Sequence, residues 1–173
     1  HDIIKDFTSS TLSNFIVNQL EIAHDSSKKD LAIAIIEKKP EIIKNSEDLS
    51  NFINQLKITE DYRKKDLAIA IIKQNSDIIK SSKALSDFIV KQLKITDDDY
   101  KRDLAIAIIE KKPEIIKDLT SSTLLDFIVT ELGFTDDYCK RDLAIAIIKK
   151  KPEIIKDLTS SKALSDFIVN QLK

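Results

Sequence analysis

The chain has 173 residues, of which 42% are hydrophobic and 33% are charged, a balance typical of a folded protein rather than a disordered one. Its formal net charge is -1, from 28 basic and 29 acidic residues, so it has no bulk attraction for nucleic acid or for an anionic membrane. One glycine and three prolines are too few for a sheet with many tight turns, so the composition predicts an all-α fold.

A seven-residue block, Asp-Leu-Ala-Ile-Ala-Ile-Ile, occurs four times. It begins at Asp30, Asp66, Asp103 and Asp142, at spacings of 36, 37 and 39 residues. Such periods are typical of proteins built from one stacked supersecondary unit. The sequence predicts one repeat domain over residues 1–173, with a partial repeat at 1–29, full repeats at 30–65, 66–102 and 103–141, and a truncated last repeat at 142–173.

The first helix of each repeat, helix A, is predicted from the acidic cluster to the basic one, for example from Asp136 to Lys150. Thr135 or Asp136 can cap it, and the charges at both ends complement the helix dipole. The six apolar residues at its centre point in every direction, which indicates burial between neighbouring repeats. An aspartate in place of Ile106 is therefore expected to unfold the neighbouring repeats too.

A buried β-strand is the alternative for the same apolar block, because short apolar runs fit either structure. Alanine is a poor strand former, however, and the charged flanks continue a helical pattern. The helix is therefore the preferred interpretation.

The second half of each repeat opens with a helix-breaking or helix-starting residue such as Pro113. Proline ends the preceding helix and is favoured at the start of the next, which predicts a short helix or single turn over about residues 113–119. Helix B then begins at a cap such as Ser122 and carries apolar residues at helical spacing. Together these patterns predict a right-handed α-solenoid of two-helix repeats of about 36–39 residues.

Three length differences separate the repeats. One lies in the connection before helix B. A second is predicted before helix A, where residues 96–100 form a segment one residue longer than its counterpart, residues 59–62. The third is inside helix B, where the repeat at Phe52 reads Phe-Ile-Asn-Gln-Leu and the repeat at Phe88 reads Phe-Ile-Val-Lys-Gln-Leu. This last difference is expected to change the local helix packing.

Residue types suited to catalysis are few. His1 and His24 are the only histidines, and Cys139 is the only cysteine. The sequence has no glycine-rich phosphate loop, no metal-ligand cluster and no nucleophile elbow. The acidic run at 97–99 lacks the glycine and the ligand spacing of a calcium loop. We predict a protein that is not an enzyme and that needs no cofactor or metal.

A residue type that recurs along a stacked array forms a stripe, and stripes bind extended partners. Tyrosines form one predicted stripe in helix A, and basic residues form a second. Tyrosine and arginine are enriched at protein interfaces, although the same residues could simply pack at helix starts and pair with neighbouring acids. The candidate partner-binding residues are Tyr62, Tyr100, Tyr138, Lys65, Arg102 and Arg141.

A third stripe, of polar residues, lies along helix B. RNA-reading helical repeats vary a few polar residues at fixed positions, so RNA binding is an alternative function. The balanced charge argues against it. The stripe contains Asn14, Asn51, Asp87, Asp126 and Asp166, with Asn18, Asn54, Lys91, Thr130 and Asn170 one turn further on.

The period and two-helix layout resemble the helical-hairpin solenoids, the tetratricopeptide and HEAT-like group, although the small and aromatic signature of tetratricopeptide repeats is missing. This resemblance implies a protein-binding scaffold. The segments Lys-Pro-Glu-Ile-Ile-Lys and Asp-Phe-Ile-Val-Asn-Gln-Leu are similar to the repeat domains of rickettsial surface autotransporters that assemble actin. That similarity implies a bacterial surface location and a role in actin assembly, with no functional residue carried over.

The sequence thus predicts a non-enzymatic scaffold that binds another protein, or another part of its own chain, and that is a segment of a larger protein. Actin filament assembly in an intracellular bacterium is the first alternative function, and RNA binding is the second. No apolar run approaches the roughly 18 to 20 residues of a membrane span, so we expect a soluble segment without membrane insertion. Its location stays open, with the bacterial surface or secretion as options.

Overall fold

The computed structural model describes residues 6–156, and every regular element in that range is a helix. The prediction of an all-α protein is confirmed. Each of the four apolar blocks lies within an α-helix, so the strand alternative is wrong. Between residues 6 and 156, no helix has both the length and the apolarity that a membrane span requires.

Long and short helices alternate along the chain. The long A helices are α2 (Asp25–Lys38), α4 (Asp61–Gln74), α6 (Asp98–Lys111) and α8 (Asp137–Lys150). The B helices are α1 (Ser9–Asn14), α3 (Ser46–Gln55), α5 (Ser82–Ser86) and α7 (Ser121–Leu125). Three of the B helices continue as π-helices, over Phe15–Gln19, Asp87–Gln92 and Asp126–Glu131. A 3-10 turn follows each A helix, at Pro40–Ile42, Ser76–Ile78, Pro113–Ile116 and Pro152–Ile155.

The helix ends follow from capping chemistry. Asp136 caps α8 and Asp97 caps α6, because each side chain accepts a backbone hydrogen bond from the first turn, at 2.9 and 3.1 Å. The cap of α7 is Thr120 rather than the predicted Ser122, because Thr120 and Thr123 form a capping box. Helix B therefore begins two residues earlier than predicted.

Two structural features, not the predicted three, explain the different repeat lengths. All four A helices have 14 residues, so residues 96–100 do not contain the extra residue that was predicted from their comparison with residues 59–62. The difference inside helix B is real: Val17, Val90 and Val129 lie in π-helical segments, whereas α3 lacks the extra residue and is α-helical throughout. A π turn contains one more residue than an α turn, so it accommodates the extra valine within the helix. The other difference is the connection before α7.

Helices of the same type pack against each other along the chain. The A helices pack in the order α2, α4, α6, α8, and α1 packs against α3. Likewise, α3 packs against the π segment that follows α5, and α5 packs against the π segment that follows α7. One hydrophobic core extends from Leu12 to Ile154 and joins these contacts.

The apolar block is not buried in every direction. In α6, Ile106 and Ala107 are half-buried, and the other four apolar residues of the block are at most 1% exposed. Those four are Leu104, Ala105, Ile108 and Ile109. One edge of each A helix therefore stays near solvent. An aspartate at position 106 would lie on that edge, so it should be milder than the sequence suggested.

Candidate interaction surface

The three candidate tyrosines lie in the first turns of three successive A helices. Tyr62 and Tyr138 are the second residues of α4 and α8, but Tyr100 is the third residue of α6 and Asp99 takes the second position. The prediction that all three share one helical position is therefore wrong at Tyr100. The rings of Tyr62 and Tyr100 still meet, with centroids 6.3 Å apart, a distance typical of aromatic pairs.

These tyrosines differ in exposure. Tyr138 is 67% exposed and Tyr62 is 38% exposed, whereas Tyr100 is half-buried. Basic side chains lie close to two of the rings: Lys65 lies 5.3 Å from the centroid of Tyr100, and Arg141 lies 5.1 Å from that of Tyr138. We group the residues of the two predicted stripes as one candidate surface, here named the tyrosine–cation face. Its members are Tyr62, Tyr100, Tyr138, Lys65, Arg102 and Arg141.

The basic residues of this face are engaged in ion pairs. Lys65 lies 3.4 Å from Asp66 in its own helix and 3.6 Å from Asp103 in the next A helix. Arg102 pairs with Asp103 at 2.8 Å, and Arg141 pairs with the aspartate that follows it at 2.7 Å. The hydrogen bond with Asp103 also raises the pKa of Arg102. These three basic residues therefore pair with neighbouring acids, which is one of the two interpretations that the sequence allowed. The exposed rings of Tyr62 and Tyr138 are more accessible to a partner.

A polar contact that the sequence analysis missed joins successive A helices. Asp98 begins α6, and its Oδ2 accepts hydrogen bonds from the N–H and hydroxyl of Thr135, at 2.7 and 2.9 Å, and from the N–H of Asp136 at 2.9 Å. Its Oδ1 pairs with Lys101 at 3.0 Å, and Lys101 also donates to the carbonyl of Gly133 at 3.2 Å. We call the contact between the first aspartate of an A helix and the threonine before the next A helix the Asp–Thr clasp.

The clasp recurs at the earlier junctions. Asp25 accepts from the N–H of Thr59 at 3.1 Å, and Asp61 accepts from the N–H of Thr96 at 2.9 Å. Burial would raise the pKa of these carboxyls, but hydrogen bonds from the following threonine and from the neighbouring lysine outweigh it. The pKa of Asp25 and of Asp61 is therefore lowered, and that of Asp98 falls to about 2. A threonine two residues before three of the A helices was the sequence signal.

The candidate chemical groups outside the face are inert or solvated. Cys139 is 2% exposed, and burial raises the pKa of its thiol to about 12, which keeps it protonated at neutral pH. His24 is exposed and makes no side-chain capping bond to α2, and His1 lies outside the described residues. In the part of the chain that the structure describes, no three His, Cys, Asp or Glu residues are grouped to hold a metal ion.

Half of the described members of the polar stripe on the B helices are paired with one another. Asn18 donates to Asn14 at 2.7 Å, and Lys91 pairs with Asp87 at 2.7 Å. These bonds occupy groups that would otherwise reach nucleobase edges. Two members of the stripe lie outside the described residues, Asp166 and Asn170.

Comparison with known proteins gives no relative from which a role could be transferred. No family model matches the chain, and neither a curated protein nor a solved structure matches it significantly. The chain is therefore classified by its own features, as an all-helical protein with an internal sequence repeat.

Proposed function

We propose that this protein is a right-handed α-solenoid that acts as a non-enzymatic scaffold and binds another protein, or another part of its own chain, through the tyrosine–cation face. The observation that carries the proposal is the exposure of Tyr138 and Tyr62, at 67% and 38%, on helices that pack in succession. Exposed tyrosines on a rigid helical support are typical anchors of protein interfaces.

Two features support the solenoid arrangement. Helices of one type pack against the next helix of the same type, and the Asp–Thr clasp recurs at three consecutive junctions. A junction repeated with the same contacts relates each unit to the next by a similar rotation and translation. Repeated application of such an operation generates a superhelical array.

The charge balance of the face favours a protein partner over a polyanion. Lys65, Arg102 and Arg141 each pair with an aspartate, so the face has no unmatched row of positive charge. Nucleic-acid sites instead present cations to phosphates and bind in a strongly salt-dependent way. Actin assembly and RNA binding stay predictions from the sequence.

The test compares three forms of the immobilised chain by quantitative mass spectrometry of the proteins they retain. They are the wild type, a variant with alanine at Tyr62, Tyr100 and Tyr138, and a control variant with alanine at three exposed last-turn positions of the same helices. The control positions are Lys73, Glu110 and Lys149. We expect a partner protein that the wild type and the control retain in equal amounts. The tyrosine variant should retain at least about tenfold less of it, since interface tyrosines are often hot spots.

Equal retention by the tyrosine variant and the control would remove the tyrosine–cation face as the binding surface. Purified actin and random RNA at low salt serve as defined probes in the same format. Retention of RNA by the wild type, together with failure of every protein to depend on the tyrosines, would replace the scaffold proposal with the RNA alternative.

A further inference from the structure

Buried serines connect successive B helices at two places. The hydroxyl of Ser13 in α1 donates to Oε1 of Gln55 in α3, at 2.6 Å. The hydroxyl of Ser86 in α5 donates to Oε2 of Glu131, in the π-helix after α7, at 2.9 Å. The two serines are 2% and 1% exposed. We call this contact the serine seam, and it connects B helices as the Asp–Thr clasp connects A helices.

The serine seam is missing between α3 and the B helix that follows it. Ser50 and Gln92 have the matching positions, but the buried hydroxyl of Ser50 donates only to the carbonyl of Glu47 in its own helix, at 2.9 Å. Among residues 6–156, Oε1 of Gln92 is buried and has no hydrogen-bond partner. The amide of Asn54 lies 3.5 Å from the carbonyl of Gln92, at the limit of a hydrogen bond. An unpaired buried acceptor is costly, so this contact is weaker than its two equivalents.

The helix α3 also differs in form from the two helices that donate in the seam. Both α1 and α5 continue as π-helices, whereas α3 lacks the extra residue. The core at this junction is complete all the same, because Phe52 and Phe88 are fully buried. The shorter helix thus keeps its apolar packing and lacks the polar contact.

The A helices at the same junction are connected at both ends of α4. Before α4 begins, the N–H and the hydroxyl of Thr59 donate to Asp25, at 3.1 and 3.4 Å. After α4 ends, the amide of Asn75 donates to the carbonyl of Ile43, at 3.1 Å. The helices α2 and α4 also pack against each other. Two polar contacts at the two ends of one helix define an axis along that helix.

We propose that the array has a hinge at this junction, with its axis along α4. In the open state, α3 separates from the B helix that follows it, while the contacts at the ends of α4 hold the A helices together. A hinge of this kind changes the curvature of the array at one place. It does not depend on the proposed role of the tyrosine–cation face, because the three tyrosines lie in α4, α6 and α8, on one side of the hinge.

Distances between spin labels, measured by double electron–electron resonance, test the hinge. Three pairs of exposed positions are compared: one across the hinge between B helices, a control pair across the next junction between B helices, and one across the hinge between A helices. In that order, the pairs are Glu47 with Lys83, Lys83 with Ser122, and Glu37 with Lys73. Cys139→Ser is present throughout, so that labels attach only to the introduced cysteines.

We expect a second, longer distance for the pair across the hinge between B helices. Its population should be about five times that of any longer distance in the control pair, because one hydrogen bond shifts an equilibrium by about two- to tenfold. The pair on the A helices should show a single distance, since the contacts at both ends of α4 persist in the open state.

Three variants test the cause of the hinge. A valine inserted after Ile53 gives α3 the π form of its neighbours and should remove the longer distance across the hinge. Ser86→Ala breaks an existing seam and should give the control pair a longer distance. Ser50→Ala is the matched control, because Ser50 makes no bond across its junction, and it should change neither pair.

Equal populations of the longer distance in the hinge pair and the control pair would overturn the proposal. So would a second distance in the pair on the A helices, since the junction would then separate as a whole. A folded Ser86→Ala variant whose control pair keeps a single distance would contradict the assignment of the hinge to the missing seam. Circular dichroism checks that each variant is folded, and Ser86→Ala decides the cause if the valine insertion prevents folding.

Discussion

The Asp–Thr clasp predicts the cost of removing one charge, in the variant Asp98→Asn. The pKa of Asp98 falls from 3.8 to about 2 in the folded chain, where burial raises it but the bonds from Asp136, Thr135 and Lys101 lower it further. A difference of that size corresponds to about 2 kcal/mol of stabilisation by the charged form. Asparagine keeps an oxygen acceptor and loses the charge. We therefore expect the free energy of unfolding to fall by about 2 kcal/mol at neutral pH.

Asp137→Asn is the matched control. Asp137 also begins an A helix and also pairs with a lysine three residues later, at 2.8 Å, but its side chain is 64% exposed. Both variants lose the same interaction with the helix dipole. The control should therefore change the free energy of unfolding by no more than about 0.5 kcal/mol, as is usual for exposed charges.

The assay is urea unfolding followed by far-ultraviolet circular dichroism, at neutral pH and at a series of acidic pH values. Because the folded pKa of Asp98 lies below its unfolded value of 3.8, the stabilisation is fully present above that value. It is lost as the pH falls to about 2, where wild type and Asp98→Asn should converge. Equal losses in Asp98→Asn and Asp137→Asn, or a difference from wild type that persists at the acidic end, would refute the reasoning.

Three further predictions concern the core, the π-helices and the thiol. Ile109→Asp charges a side chain with 0% exposure and should cost more than about 3 kcal/mol, while Ile106→Asp should cost less than half of that, as urea unfolding can show. A valine inserted after Ile53 should give α3 a π turn at a cost below about 1 kcal/mol, because three B helices already have this form; a crystal structure of the variant decides. Cys139 should react with a disulfide reagent at least about tenfold more slowly in the folded chain than in urea, because burial raises its pKa to about 12.

Helix positions were predictable where a single residue type decides them. The aspartate cap and the terminal lysines of α8 placed that helix within one residue of its observed start. Pro113 placed the 3-10 turn, because proline is compatible only with a first turn. Such signals act locally, so the sequence alone contains them.

The candidate surface was harder to predict because its register depends on position rather than on residue type. Matching Tyr100 to Tyr62 by residue type suggested an insertion. The number of residues from Thr96 to Asp103 is nevertheless the same as that from Thr59 to Asp66. Counting from the threonine would have placed Tyr100 correctly. The clasp itself depends on how closely two A helices approach, and no local pattern gives that distance.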